Sequence, residues 1–325
     1  MSPSVFRLSI SSDGSDTPDS LRAMTAVADQ ADAKNIWIAS HLFHREPVAS
    51  AMAVLSATRN LGVVLMAMSP YIVHPVYATM AAATIDEFFP GRVQLCFGVG
   101  APRDLEAAGL RTEQPLATLR ESIEISRSLL AGDVIRHDGQ RFKINGRRLL
   151  AGARPIPLWL AASGPQMLEL AGEVADGVVI SAGTAPNFIR WCLEHVRHGE
   201  ERAGRRIAKA GLVFCSVDAD AAVARNRLRR KLAYLLRGQH HARNLELAGT
   251  KLDQASLADA FAQERWPEVE ALITDDVLAG HTASGTPEQA RNAFAAFQAA
   301  GLDEIIVYGV EDRTQLSVAL SVMRR

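Results

Sequence analysis

Cysteine is scarce in this chain: Cys96, Cys192 and Cys215 are the only three among 325 residues, and no two stand in CxxC spacing. An odd, scattered set is not a disulfide framework or a zinc motif, and it is the pattern expected of reduced thiols in a cytoplasmic protein. Excess charge of one sign is absent too, since 35 Lys and Arg stand against 36 Asp and Glu. The chain therefore has no electrostatic bias toward nucleic acid or an anionic membrane. Long apolar runs are missing: the most apolar window, Leu61 to Met68, stops at Ser69-Pro70, far short of the roughly 20 residues a membrane helix needs. The N-terminal residues lack a basic stretch followed by an apolar one, so no signal peptide is expected. Gly-x-Ser-x-Gly and Walker-type Gly-Lys-Ser/Thr sequences do not occur, which removes serine-hydrolase and P-loop readings.

What remains is a chain with 48% hydrophobic and 22% charged residues, ample for a buried core and unlike a disordered protein. Short apolar runs alternate with amphipathic ones. Strands are expected at Val5–Ile10, Asn35–Ser40, Leu61–Met68, Arg92–Val99, Pro157–Ala162, Gly177–Ser181, Gly211–Val217 and Glu304–Tyr308. Helices follow each in turn: Pro18–Ala31, capped by Asp16 or Thr17, then Val48–Ala57, Pro75–Phe88, Thr112–Leu130, Gly164–Val174, Asn187–Ala203, Ala219–Leu236 and Thr314–Met323. Nearly continuous apolar strands followed by helices predict a parallel sheet covered by helices, and eight is the count that closes a (β/α)8 TIM barrel. A doubly wound open sheet is the alternative. Two stretches break the repeat: a hairpin near 132–150, turning at Asp138-Gly139, and a mainly helical insertion near 245–287. With no linker in between, residues 1–325 read as a single domain.

In such barrels the site gathers at the C-terminal ends of the strands. Gly98-Val99-Gly100 follows the fourth strand and suggests a backbone approached closely by a ligand. Arg103 stands where the dinucleotide fingerprint needs glycine, and Pro102-Arg103 is expected to interrupt an immediate helix start. Ala161-Ala162-Ser163-Gly164-Pro165 lies between a strand and a helix. Its free N–H groups, with the Ser163 hydroxyl, could receive an anion, or it could be an ordinary capped helix. His41 and His44 form His-x-x-His, but nothing nearby completes a ligand set, so no metal is expected. His41 alone is a candidate for proton transfer or for a hydrogen bond to a redox ring, the alternative being an ordinary loop histidine.

The order of several segments resembles the bacterial luciferase-like superfamily, and most of all its branch related to methylenetetrahydromethanopterin reductase. They are Asn35-Ile36-Trp37-Ile38-Ala39-Ser40-His41, Ser69-Pro70-Tyr71-Ile72-Val73-His74-Pro75, Asp86-Glu87-Phe88-Phe89-Pro90-Gly91-Arg92-Val93, Gly98-Val99-Gly100, Pro155 to Pro165, and Ala171 to Val178. The similarity is concentrated in residues ~5–185, with only the general layout matching beyond. It implies a barrel that binds FMN or the deazaflavin F420, with F420 slightly favoured. The resemblance places the cofactor phosphate at Ala161, Ala162, Ser163 and Gly164, and the ring against the backbone of Gly98 and Gly100. It also implies a bulge with a non-proline cis peptide at Met66 and Ala67, with Ser40 at the cofactor and His41 as the catalytic group.

Two departures stand out. Many F420 relatives carry Asp-His where this chain has Ser40-His41, so a carboxylate that would fix the histidine is expected to be missing. Val73 replaces an arginine common in the matching stretch. The implied activity is hydride transfer between the (deaza)flavin and a small organic substrate. The alternatives are an FMNH2- and O2-dependent two-component monooxygenase, served by a flavin or F420 reductase, and a non-catalytic flavin-binding barrel. A third reading, a metal-dependent hydrolase using His41 and His44, would require stoichiometric metal. Family members are commonly homodimers.

Overall fold

The computed structural model describes residues 7–324; Val5 and Phe6 of the first expected strand lie outside that range. The strands are β1 (Arg7–Ser12), β2 (Asn35–Ala39), β3 (Gly62–Met68), β4 (Val93–Phe97), β5 (Ile135–Asp138), β6 (Lys143–Arg147), β7 (Leu158–Ala161), β8 (Gly177–Ile180), β9 (Ala208–Val217), β10 (Ala283–Gly285) and β11 (Glu304–Tyr308). Nine of them form one sheet in the order β10-β9-β11-β1-β2-β3-β4-β7-β8, and β8 pairs with β9 as well. The ladders with a defined register are parallel throughout this sheet. The fold is an eight-stranded (β/α)8 barrel with the short β10 added beside β9. Strands such as β2 and β8 are buried along their whole length, which is why they read as unbroken apolar runs rather than as alternating ones.

Proline punctuates the chain. Among the described residues eight helices begin on it, at Pro18, Pro47, Pro75, Pro102, Pro115, Pro165, Pro186 and Pro287. Proline's fixed φ suits the first helical position, where its missing N–H is not needed. Pro102 corrects an expectation: it opens the helix Pro102–Ala107 and does not interrupt it. Thr17 caps the first helix, accepting the N–H of Ser20.

Contacts divide the chain into two compact units, one of residues 9–179 with 195–208, the other of 7–8, 180–194 and 209–324. In the first, β5 and β6 form the expected hairpin, with a different turn. Asp138 pairs with Lys143, leaving Gly139–Phe142 as the connection. The Glu121 carboxylate accepts the N–H groups of Gln140, Arg141 and Phe142 at 2.8–3.3 Å. A carboxylate from the preceding helix, rather than the Asp-Gly pair, sets this loop. In the second unit, Leu228, Leu232 and Leu236 of the helix Ala221–Leu236 pack with Leu257, Val269 and Leu278 from three short helices. The insertion is helical from Gln239 to His281, but its last part is strand β10. That strand has three small residues, too few to show a period of two. Among the described residues no helix is long and apolar enough to cross a membrane.

Candidate cofactor and active site

Three strand ends of the first unit converge on a patch of small residues. The β3–β4 register slips between Leu65 and Met68, and the Met66–Ala67 peptide is cis. The Ser40 N–H donates to the Met66 carbonyl at 2.6 Å, joining the end of β2 to this bulge. Gly98, just past β4, is buried there, and a Cβ placed on it would lie 2.8 Å from the Ala67 Cβ and 3.2 Å from the Ala161 Cβ. Ala67, Gly98 and Ala161 therefore meet with no room for a further methyl group. Gly100 has φ +100°, a conformation that favours glycine, and its Cα faces the Ser69 side chain and Leu105. The Ser69 hydroxyl donates to the Val99 carbonyl at 2.7 Å and holds the two loops together.

At one side of this patch, His41 stands half-exposed just past β2. Its Nδ1–H donates to the Asp104 carboxylate at 3.3 Å. Asp104 comes from the first turn of the helix Pro102–Ala107. The carboxylate expected to be missing beside Ser40 is thus supplied from another element. Sequence reasoning passed over Asp104, although Pro102 followed by an acidic residue two positions later is a helix-start signal. The His44 Nδ1–H donates to the Asp13 carbonyl at 2.8 Å, tying this loop to the one after β1. His74 caps the helix Pro75–Phe88, accepting the Val76 N–H. Burial holds its imidazole below the ordinary value, which keeps that nitrogen an acceptor.

At the other side, Ala162 is buried while Ser163 and Gly164 are exposed. Gly164 is the N-cap of the helix Pro165–Val174, and no side chain caps this helix. The Ser163 hydroxyl therefore does not satisfy the helix terminus, and Pro165 has no N–H, so the first donors of the helix remain for an external acceptor. Nothing lies within 4 Å of a Cβ at Gly164. The cysteines play no part: all three are buried. Burial pushes the Cys96 thiol well up and those of Cys192 and Cys215 up to about 12, so none is a thiolate nucleophile near neutral pH.

The parallel sheet defines the class: a (β/α)8 barrel, a fold in which sites gather at the C-terminal strand ends. Comparison with known proteins narrows it. Residues 2–304 match the luciferase-like monooxygenase family, and the chain belongs to that family. It is 31% identical over 278 residues to the 5,10-methylenetetrahydromethanopterin reductase of Archaeoglobus fulgidus, covering 83% of each chain. The structure of the coenzyme F420 dependent tetrahydromethanopterin reductase from Methanopyrus kandleri superposes with a TM-score of 0.89, at 20% identity and 97% coverage of both chains. The oxygenating constituent of 3,6-diketocamphane monooxygenase from Pseudomonas putida, in complex with FMN, superposes with a TM-score of 0.73, at 16% identity and 97% and 96% coverage.

Proposed function

We propose that the chain is an oxidoreductase that holds F420 or FMN and passes a hydride between it and a small organic substrate, F420 being favoured. The observation that carries this reading is the meeting of Ala67, Gly98 and Ala161. A planar ring needs a surface free of projecting side chains, and three strand ends present backbone and methyl groups only. The residues present fit such a group. Met66, Ala67 and Ser40 would support it from β2 and β3, and Gly98 and Gly100 from the loop after β4. The uncapped terminus formed by Ala161, Ala162, Ser163 and Gly164 would take its phosphate. A bound deazaflavin or flavin supplies the two-electron chemistry.

The chain's own residues would orient the reactants and move a proton. With Nδ1–H committed to Asp104, His41 keeps the tautomer whose Nε2 is free to accept a proton from a substrate hydroxyl, or, once protonated, to return it. Asp104 positions the ring; His41 is the catalytic group. F420 is favoured because the methanopterin reductase relative aligns along most of both chains and the Methanopyrus structure is named as F420-dependent. The FMN-bound monooxygenase with the same fold keeps a second reading open: FMNH2- and O2-dependent oxygenation supplied by a separate reductase. A non-catalytic flavin-binding barrel is the remaining alternative.

We further propose a cytoplasmic homodimer built from one domain, residues 1–325. The free, buried thiols support the compartment. The helix Pro75–Phe88 supports the dimer, since Tyr77, Met80 and Phe88 are exposed along it at helical spacing.

Parallel titration of the purified protein with F420 and FMN, oxidised and reduced, tests the main reading. Tight F420 binding is the expected outcome. Preference for reduced FMN moves the activity to oxygenation, and absence of binding by either overturns the proposal. Turnover unaffected by His41→Ala would leave a binding protein without catalysis.

A further inference from the structure

Away from the strand ends, the helices Pro165–Val174 and Pro186–Ala203 cross with their backbones in contact. A Cβ at Gly172 would fall 2.1 Å from the Val196 carbonyl oxygen, and one at Gly199 would fall 2.0 Å from the Glu169 carbonyl oxygen. Only two glycines permit so close an approach, and it fixes the side chains that flank the crossing. Glu169 projects from one helix, and His195 and His198, three residues apart and therefore on one face, from the other.

Their ligand atoms all lie within 4.8 Å of one another. Glu169 Oε1 is 3.5 Å from His195 Nδ1 and 3.8 Å from His198 Nδ1. Zinc bound to imidazole and carboxylate at ~2.0–2.1 Å with tetrahedral angles keeps neighbouring ligand atoms about 3.4 Å apart. The two carboxylate–imidazole separations need to close by only a few tenths of an ångström, and the two imidazole nitrogens lie within 4.8 Å of each other. Arg202 holds the other carboxylate oxygen, Oε2, at 3.1 Å. That contact turns Oε1 toward the histidines and acts as an outer partner that orients a ligand. His198 is the most exposed of the three, so solvent reaches the cluster and can complete the coordination.

We propose that Glu169, His195 and His198 form a divalent zinc site that clips these two helices together. Two imidazoles and a carboxylate suit Zn2+ better than Mg2+ or Ca2+, which prefer oxygen ligands. The role is structural. The three ligands sit on helix sides at a rigid crossing, and none belongs to the residues placed at the cofactor or the proton.

Equilibrium dialysis of the untagged, chelator-stripped full-length protein against ZnCl2, together with thermal unfolding, tests this. One Zn2+ per chain and a raised Tm are expected. His198→Ala, and the size-preserving His198→Gln, should each weaken zinc binding at least tenfold and abolish the Tm shift, with unchanged circular dichroism in the absence of metal. His44→Ala should bind zinc as the parent does. Absence of stoichiometric zinc, binding insensitive to both His198 variants, or binding lost with His44→Ala would each overturn the proposal.

Discussion

His41 and Asp104 are far apart in the chain, one exposed and the other half-buried, and each gains its proposed role from the other. His41→Ala should lower kcat by ~10²-fold or more, the usual contribution of a general acid or base. Asp104→Asn should give a smaller loss with little change in KM, because the neutral amide holds the ring less firmly than the carboxylate without removing it. Steady-state kinetics on the first substrate identified checks both. The glycines of the site make opposite predictions. Gly98→Ala puts a methyl group 2.8 Å from Ala67; it should cost about 1–3 kcal/mol of stability by overpacking and weaken cofactor binding. Gly164→Ala meets no neighbour and has φ −91°, so the fold should tolerate it. A loss of affinity without a loss of stability in that variant, read by fluorescence titration, would report the approach of the cofactor phosphate.

Elements in both units depend on buried polar groups that periodicity does not register. Burial opposes ionisation of Glu121, but the N–H groups of Phe142, Arg141 and Gln140 and the His137 side chain more than offset it, so the carboxyl is held below its ordinary value. Its contribution to stability is present above the unfolded value near 4.5 and is lost as pH falls through the lower folded value. Glu121→Ala leaves these N–H groups without their acceptor and should loosen the β5–β6 hairpin, seen as faster amide exchange over 135–147. In the second unit, His281 donates from Nδ1 to the Gly183 carbonyl at 3.0 Å and contacts Thr250 through Nε2 at 2.8 Å. Asn244 donates to the same carbonyl and accepts the Ala185 N–H. Burial lowers His281 and His241 to about 4, from an ordinary 6.5. The unfolded chain therefore binds protons that the folded one refuses. Unfolding free energy should be greatest above pH 6.5 and decline by on the order of a few kcal/mol toward pH 4. Chemical denaturation across that range, with a shallower slope in His281→Gln, checks this.

For the whole molecule, the exposed Tyr77, Met80 and Phe88 make a prediction about assembly. Met80→Glu should shift the protein from dimer to monomer in sedimentation velocity while leaving the fold intact, since Met80 is an exposed residue. A dimer unaffected by that change would place the interface elsewhere.

Repetition is legible in the amino-acid sequence itself. Eight apolar runs each followed by a helix predicted a parallel sheet covered by helices, because a strand buried on both faces needs only to be short and apolar; that the sheet closes into a barrel and not an open doubly wound sheet was decided by the tertiary structure. The hairpin and the insertion were legible as breaks in that pattern. The internal form of each was not, since the loop is set by Glu121 from the preceding helix and β10 is too short to show a period. The site divided in the same way. Glycines, alanines and His41 at strand ends were visible because their positions follow from the order of elements. The Asp104 partner of His41 and the Glu169–His195–His198 cluster were not, because each joins residues from separate elements. Distance along a chain carries no information about such pairs; only the packing of one helix or loop against another brings the atoms within bonding range.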